Sequence, residues 1–334
     1  MFWIFDFGNH KKYFKCPEKI RALFLKKPVL RILQTMSSTG EIQGSSFKLA
    51  AKVKDYFQLI KFTLSFTVVF SCVICYLLAP GITYDLKIII ILFVAGMLVT
   101  GSANAINQSV EKDTDALMKR TGKRPVADGR MSQQEAYIFA FVAGFTGVWM
   151  MWQFFNAESA ALSAFSLFLY AFIYTPLKKV NSIAVLVGAF PGALPCLIGW
   201  VAATGTFSTG GWVLFSIQFL WQFPHFWAIA WVAHADYSKA GFKLLPADKG
   251  PTKFTALQAI MYSVLMIPVG ILPFYTHIAG MVSLWIVLVA NLFMVFQTVR
   301  LYREMDVKAA RRVMFSSYIY LPIVLLALLA DKMY

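Results

Sequence analysis

Near the end of its second long apolar run the chain reads Asn104-Ala-Ile-Asn107-Gln-Ser-Val-Glu111-Lys-Asp113-Thr-Asp115, which sets Asn107, Glu111 and Asp115 at i, i+4 and i+8. On a helix those three side chains share one face. Two carboxylates and an amide oxygen aligned in this way repel one another unless a cation sits between them. Hard oxygen ligands at a membrane mouth suit Mg²⁺, with Asp113 as a further candidate ligand beside Glu111. Magnesium keeps several waters and shares the rest of its shell with phosphate oxygens, so a diphosphate is the natural partner. The continuation Met118-Lys119-Arg120-Thr121-Gly122-Lys123-Arg124-Pro125 supplies guanidinium forks that could clamp phosphate oxygens directly after the metal ligands. The plainer alternative is a solvated loop in which the acids neutralise Lys112 and Lys119 and the cations only mark topology.

The elements that must carry these residues follow from composition. Of 334 residues 59% are hydrophobic and only 14% charged, and several apolar runs approach the roughly 20 residues a helix needs to cross a bilayer. Unpaired backbone groups are so costly in hydrocarbon that such runs must be helices or strands about half as long, and their length excludes strands. Spans are expected near 57–79, 86–108, 134–155, 158–176, 182–205, 211–233, 254–276, 280–299 and 313–330. The predicted fold is therefore all-α, a polytopic bundle of nine transmembrane helices.

Counted from those boundaries, 29 of the 31 Lys and Arg fall on one side, leaving Lys87 and Lys332 opposite. The positive-inside rule puts the N-terminus in the cytoplasm and the C-terminus outside. The formal net charge of +15 is spread over short loops beside membrane spans, so anionic lipid headgroups and anionic substrates are the expected partners and nucleic acid is not. Residues 1–55 read as a cytoplasmic N-terminal arm ahead of a membrane domain over 56–334. Within it, 1–35 fits neither a secretory signal nor a transit peptide, and Met36 stays open as an alternative start. Cys72 and Cys75 form a CxxC in the middle of an apolar helix, where packing thiols are the simpler reading. The outward connections are short, whereas the inward 109–133 and 234–253 loops are long and rich in ionisable residues, which is where function concentrates.

Asn-x-x-x-acid-x-x-x-Asp followed by Met-x-Arg-Thr-x-x-Arg-Pro resembles the first aspartate-rich motif of heme farnesyltransferases in the UbiA-type intramembrane prenyltransferase superfamily, with Glu111 in place of the first Asp. The resemblance continues in motif order over about residues 55–330, leaving out the 1–35 arm. Tyr174-Thr-Pro-Leu-Lys178-Lys179 is similar to the Tyr-x-x-x-Lys element that the superfamily sets against the diphosphate, which makes Lys178 the residue expected to stabilise the leaving group. An interfacial lysine beside an interfacial tyrosine is the alternative. Pro195-x-Leu197-x-Gly199-Trp200 and Trp221-Gln222-Phe223-Pro224-His225-Phe226 look like the heme-specific branch. Asp236-Tyr237 stands where the second aspartate-rich motif begins, but Ala240 occupies the place of its second acid, so only Asp236 carries over. His225 is an intramembrane ionisable residue whose neutral imidazole could ligate or orient heme iron, or make a plain interhelical hydrogen bond. His234, beside the polar loop, ranks below it.

The resemblance implies a bundle around a central cavity open to the cytoplasm in a bacterial inner (cell) membrane. The expected enzyme is a Mg²⁺-dependent transferase that moves the farnesyl group of farnesyl diphosphate to the 2-vinyl group of heme B (protoheme IX). Water then adds, giving heme O for heme–copper oxidase maturation, with a heme A synthase as a downstream partner. Heme is a substrate here. The catalytic set is Asn107, Glu111, Asp115, Arg120, Lys178 and Asp236, and the metal set Asn107, Glu111, Asp113, Asp115 and Asp236. Substrate contacts fall to Arg120, Arg124, Tyr174, Lys178, Lys179, Trp221, His225 and Tyr237. Ionising an allylic diphosphate needs its leaving charge neutralised by metal and cations, while aromatic faces stabilise the carbocation in a water-poor bundle. An aromatic prenyltransferase of quinone biosynthesis is the nearest rival, and a transporter with broken helices is a rival from another class. The acids lie at the cytoplasmic helix ends rather than at mid-membrane, which weakens the transporter.

Overall fold

The structure, a computed structural model, describes residues 49–246 and 250–334; the 1–35 arm lies outside the described residues. Among these residues every regular element is helical, and the only extended pairing is an isolated bridge between Ala279 and Lys332. The helices are α1 (Leu49–Leu59), α2 (Phe62–Leu78), α3 (Leu86–Val110), α4 (Lys112–Ala116), α5 (Gln133–Phe154), α6 (Ala157–Leu177) and α7 (Ala184–Thr204). They continue as α8 (Thr209–Val232), α9 (His234–Lys239), α10 (Lys253–Tyr275), α11 (Met281–Glu304) and α12 (Val307–Ala330).

Seven of them (α3, α5, α6, α7, α10, α11 and α12) are long and apolar enough to cross a membrane, and an eighth span results if α1 and α2 are taken together across their break at Ile60 and Lys61. The chain is a multi-pass membrane protein. Of the nine expected spans, α8 is the one outside this set. It is helical through 24 residues, but Gln218, Gln222, Pro224 and His225 dilute its apolar character.

Local chemistry sets the helix ends. Asp85, Ser132, Asn156, Thr252 and Asp306 each accept a hydrogen bond from a backbone N–H of the first turn that follows, the usual way to satisfy donors that a helix start leaves unpaired. Gly205, at φ 68°, closes α7 in the left-handed conformation that glycine adopts without strain.

The interior is organised around α7. In its most apolar window 72% of residues are buried inside the protein, against 22–39% for the other six single spans. Small residues make this possible: a Cβ on Gly199 would lie 2.0 Å from the Cys72 carbonyl oxygen of α2, and one on Gly192 would lie 1.9 Å from Gln222 Oε1 of α8. Pro195 cannot donate to the Pro191 carbonyl, and Ser166 Oγ approaches that oxygen at 3.4 Å instead. Two glutamines of α8 add hydrogen bonds to the same helix, Gln218 Nε2 to Gly192 O at 2.7 Å and Gln222 Nε2 to Ala189 O at 3.0 Å. The described cysteines Cys72, Cys75 and Cys196 are free and buried in this interior. At the far end Lys332 Nζ donates to Leu77 O (2.8 Å) and Ala79 O (2.7 Å) at the C-terminal end of α2, and partial burial holds its pKa below the ordinary lysine value.

Candidate active site

α3 stops at Val110, but the i to i−4 ladder runs on: Glu111 N bonds Asn107 O at 3.0 Å and Asp115 N bonds Glu111 O at 2.7 Å. Asn107, Glu111 and Asp115 therefore stay in one row, and all three are buried. Each meets a cation from a different part of the chain. Lys61 Nζ donates to Asn107 Oδ1 at 2.8 Å, Lys178 Nζ lies 2.6 Å from Glu111 Oε1, and Arg124 pairs with Asp115 Oδ2 at 2.7 Å. Asn107 Nδ2 also donates to Thr175 Oγ1 at 3.4 Å.

The basic wall comes from a distorted stretch of α6. Residues Leu169–Tyr174 form a π-helical turn just before Pro176, whose missing N–H interrupts the ladder. Tyr174 and Lys178 emerge from it one turn apart, with the Lys178 ammonium 4.9 Å from the Tyr174 ring centre and 5.3 Å from that of Phe242. Gly188 of α7 gives Tyr174 its place, since a Cβ there would sit 2.6 Å from the ring's Cε2. Lys243 N donates to Lys178 O at 2.8 Å, which ties the loop after α9 to the same turn. In that region Arg120 donates to the Tyr237 hydroxyl at 3.2 Å and lies 5.7 Å from its ring centre. A cavity of about 230 Å³ beside them is lined by His234, Tyr237, Phe242 and Leu244 among others.

Thus Asn107, Glu111, Asp115, Arg124, Tyr174 and Lys178 come together, and Arg120 joins Tyr237. Asp113 and Lys179 are exposed and Asp236 is partly exposed. Among the described residues no three His, Cys, Asp or Glu side chains converge as a metal-binding group. Trp221 and His225 form a separate cluster between α8 and α12, stacked with ring centres 4.6 Å apart.

The donors nonetheless fit a hard cation. Asp115 Oδ1 is buried with no hydrogen-bond partner, since Asp115 is bonded only through its other oxygen, whereas Glu111 Oε1 is met by the Lys178 ammonium at 2.6 Å. A buried, orphaned carboxylate oxygen demands compensation, and oxygen-only ligands are what Mg²⁺ takes.

Lys61, one of the 29 basic residues on the inward side, and Thr175 are site residues that the sequence motifs do not single out. A lysine at the mouth of an apolar helix was the available signal for the first. A threonine one residue before a proline carried none for the second.

The sequence pattern of the UbiA prenyltransferase family matches residues 68–320. The chain belongs to that family. This UbiA prenyltransferase is 44% identical to protoheme IX farnesyltransferase of Cytophaga hutchinsonii over 86% of the chain and 100% of the relative. It is 43% identical to the protein of the same name from Flavobacterium johnsoniae, over 83% and 94%. Among solved structures it is similar to digeranylgeranylglyceryl phosphate synthase (TM-score 0.71, 21% identity, 84% and 98% of the two chains). It is also similar to a UbiA homologue of Archaeoglobus fulgidus bound to GPP and Mg²⁺ (TM-score 0.60, 14% identity, 82% and 99%). These two likenesses concern the fold.

Proposed function

We propose that this UbiA prenyltransferase moves the farnesyl group of farnesyl diphosphate to the 2-vinyl group of protoheme IX, with addition of water, giving heme O. The observation that carries the prenyl-transfer chemistry is the buried row Asn107, Glu111 and Asp115, each member met by a cation. The names of relatives 43–44% identical over nearly their whole length support heme as acceptor.

Asn107, Glu111 and Asp115, with Asp236 from the short helix α9, would hold Mg²⁺, which on binding neutralises charge developing on the diphosphate. Lys178, Arg124, Arg120 and Lys61 supply the remaining positive charge. Lys178 is the group best placed to receive the leaving oxygen, since an ammonium already desolvated between two aromatic rings needs little reorganisation. As the C1–O bond breaks, the terminal vinyl carbon bonds to C1, diphosphate departs, water adds to the remaining cationic carbon and a proton is released. Tyr174, Tyr237 and Phe242 offer aromatic faces that tolerate the positive charge and exclude water.

The reading includes nine spans, with α8 as the ninth: 24 residues reach about 36 Å, longer than the roughly 30 Å hydrocarbon core. It also includes a substrate cavity open to the cytoplasm, the N-terminus inside, a bacterial inner membrane and a downstream heme A synthase. The test is incubation of purified protein with heme B, farnesyl diphosphate and Mg²⁺, followed by mass spectrometry. Heme carrying a hydroxyethylfarnesyl group, formed only with Mg²⁺, is the expected product. Prenylation of hydroxybenzoate with heme untouched would move the chain to quinone chemistry, and no diphosphate release from farnesyl diphosphate would remove it from catalysis.

A further inference from the structure

His225 is buried on α8 one turn after Trp221, and its Nδ1 lies 2.8 Å from Ser317 Oγ of α12. A serine hydroxyl has one proton, and that of Ser317 is already donated to Met314 O at 2.6 Å. Ser317 therefore accepts, and Nδ1 of His225 carries the ring proton. The neutral ring is left with its lone pair on Nε2, to which no described residue donates. The plain interhelical hydrogen bond thus exists and uses only one of the two nitrogens.

The ring is also fixed in orientation. Trp221 stacks on it at an interplanar angle of 20°, and Trp221 Nε1 donates to the backbone oxygen of the same Ser317 at 2.9 Å. Tyr318 meets it edge-on with ring centres 5.2 Å apart. An imidazole whose tautomer and plane are set by a second residue, with a free Nε2, is the form that ligates a transition metal.

We infer that Nε2 of His225 ligates the iron of the porphyrin acceptor, with Ser317 as the positioning residue that fixes the tautomer. The inference rests on the heme reading above. It makes the site selective for an iron-loaded porphyrin over the metal-free ring, and it anchors the macrocycle at its centre while one vinyl edge reacts.

The test titrates the full-length protein in detergent with ferric heme and, separately, with metal-free protoporphyrin IX, following absorption and electron paramagnetic resonance. Wild type is expected to show a histidine-ligated iron spectrum. His225→Ala should lose it, bind heme at least about tenfold more weakly, bind the metal-free porphyrin as wild type does, and regain the spectrum with added imidazole. Ser317→Ala should keep the ligation signature but weaken heme binding by about tenfold. An unchanged spectrum and affinity in His225→Ala, with heme still farnesylated, would overturn the ligation and leave the acceptor assignment intact. An equal loss of heme and metal-free porphyrin, with no rescue by imidazole, would overturn it in favour of packing. Wild type that neither binds nor farnesylates heme would overturn the acceptor assignment and this inference together.

Discussion

The Lys178–Glu111 pair joins the stability of the fold to its chemistry, and a double-mutant cycle separates the two. The charged atoms lie 2.6 Å apart with side chains only 9% and 5% exposed. At an effective dielectric constant near 20 the attraction is about 6 kcal/mol, most of which is offset by taking both ions out of water. The pair as a whole is thus worth little against a neutral pair of similar shape, but breaking it leaves one buried charge uncompensated at a cost of about 3–5 kcal/mol. Lys178→Met also forfeits the contacts with Tyr174 and Phe242 and should fall at the upper end. Glu111→Gln, which keeps an acceptor beside the ammonium, should fall at the lower end. The double variant should return to within about 1–2 kcal/mol of wild type. Tryptophan fluorescence during unfolding in mixed micelles reads these stabilities, and diphosphate release reads activity, which should be lost in all three variants. A Lys178→Met cost no larger than a surface change, about 0.5 kcal/mol, or strict additivity of the two single changes, would refute a buried, coupled pair.

Asp115→Ala and Asp236→Ala should each lower turnover by about two orders of magnitude or more while the protein stays inserted and folded; activity retained in both would remove the cation from these residues. Arg120→Lys should keep more kcat/KM for farnesyl diphosphate than Arg120→Ala but less than wild type, because the charge survives and the bidentate fork does not. Equal values in all three forms would reduce Arg120 to a topology signal. Gly188→Ala drives a methyl to within 2.6 Å of Tyr174 and should cost about 1–3 kcal/mol of stability, with a higher KM for farnesyl diphosphate as the tyrosine is displaced. A fully stable variant with unchanged KM would mean that Tyr174 has another place to go.

The row Asn107, Glu111 and Asp115 was legible because helical periodicity alone aligns i, i+4 and i+8, and the one-residue irregularity at Glu111 does not disturb the ladder. Arg124 and Lys178 were legible as charges, but not as the specific partners of Asp115 and Glu111, since those pairings depend on how α6 and the 117–131 loop fold back. The π-helical turn before Pro176 had only its proline as a signal, and Ser317 had none, because a serine in an apolar helix reads as packing. Between Glu111 and Asp113 the sequence left the choice open. Burial separates them, with Glu111 inside and Asp113 exposed. The expected span at 211–233 rests on an apolar run, yet α8 falls outside the set that length and apolar composition admit, since it carries the polar side chains Gln218, Gln222 and His225 that serve the interior.

Lys332 reaches back to the carbonyls of Leu77 and Ala79, partners 255 and 253 positions away in the chain. The neighbouring Asp331 carbonyl and Met333 amide bond Gly280 N and Ile278 O at the turn before α11. Contacts of such long sequence separation form only after the intervening chain has been made, and domains assemble as synthesis proceeds. The first span must therefore wait in the bilayer, with its terminal carbonyls unmet by this lysine, until the last span is in place. A nascent chain stalled before residue 332 would hold every acid and base of the candidate site yet lack the clasp between first and last spans. The closing step of biogenesis is thus set apart from the residues that do the chemistry.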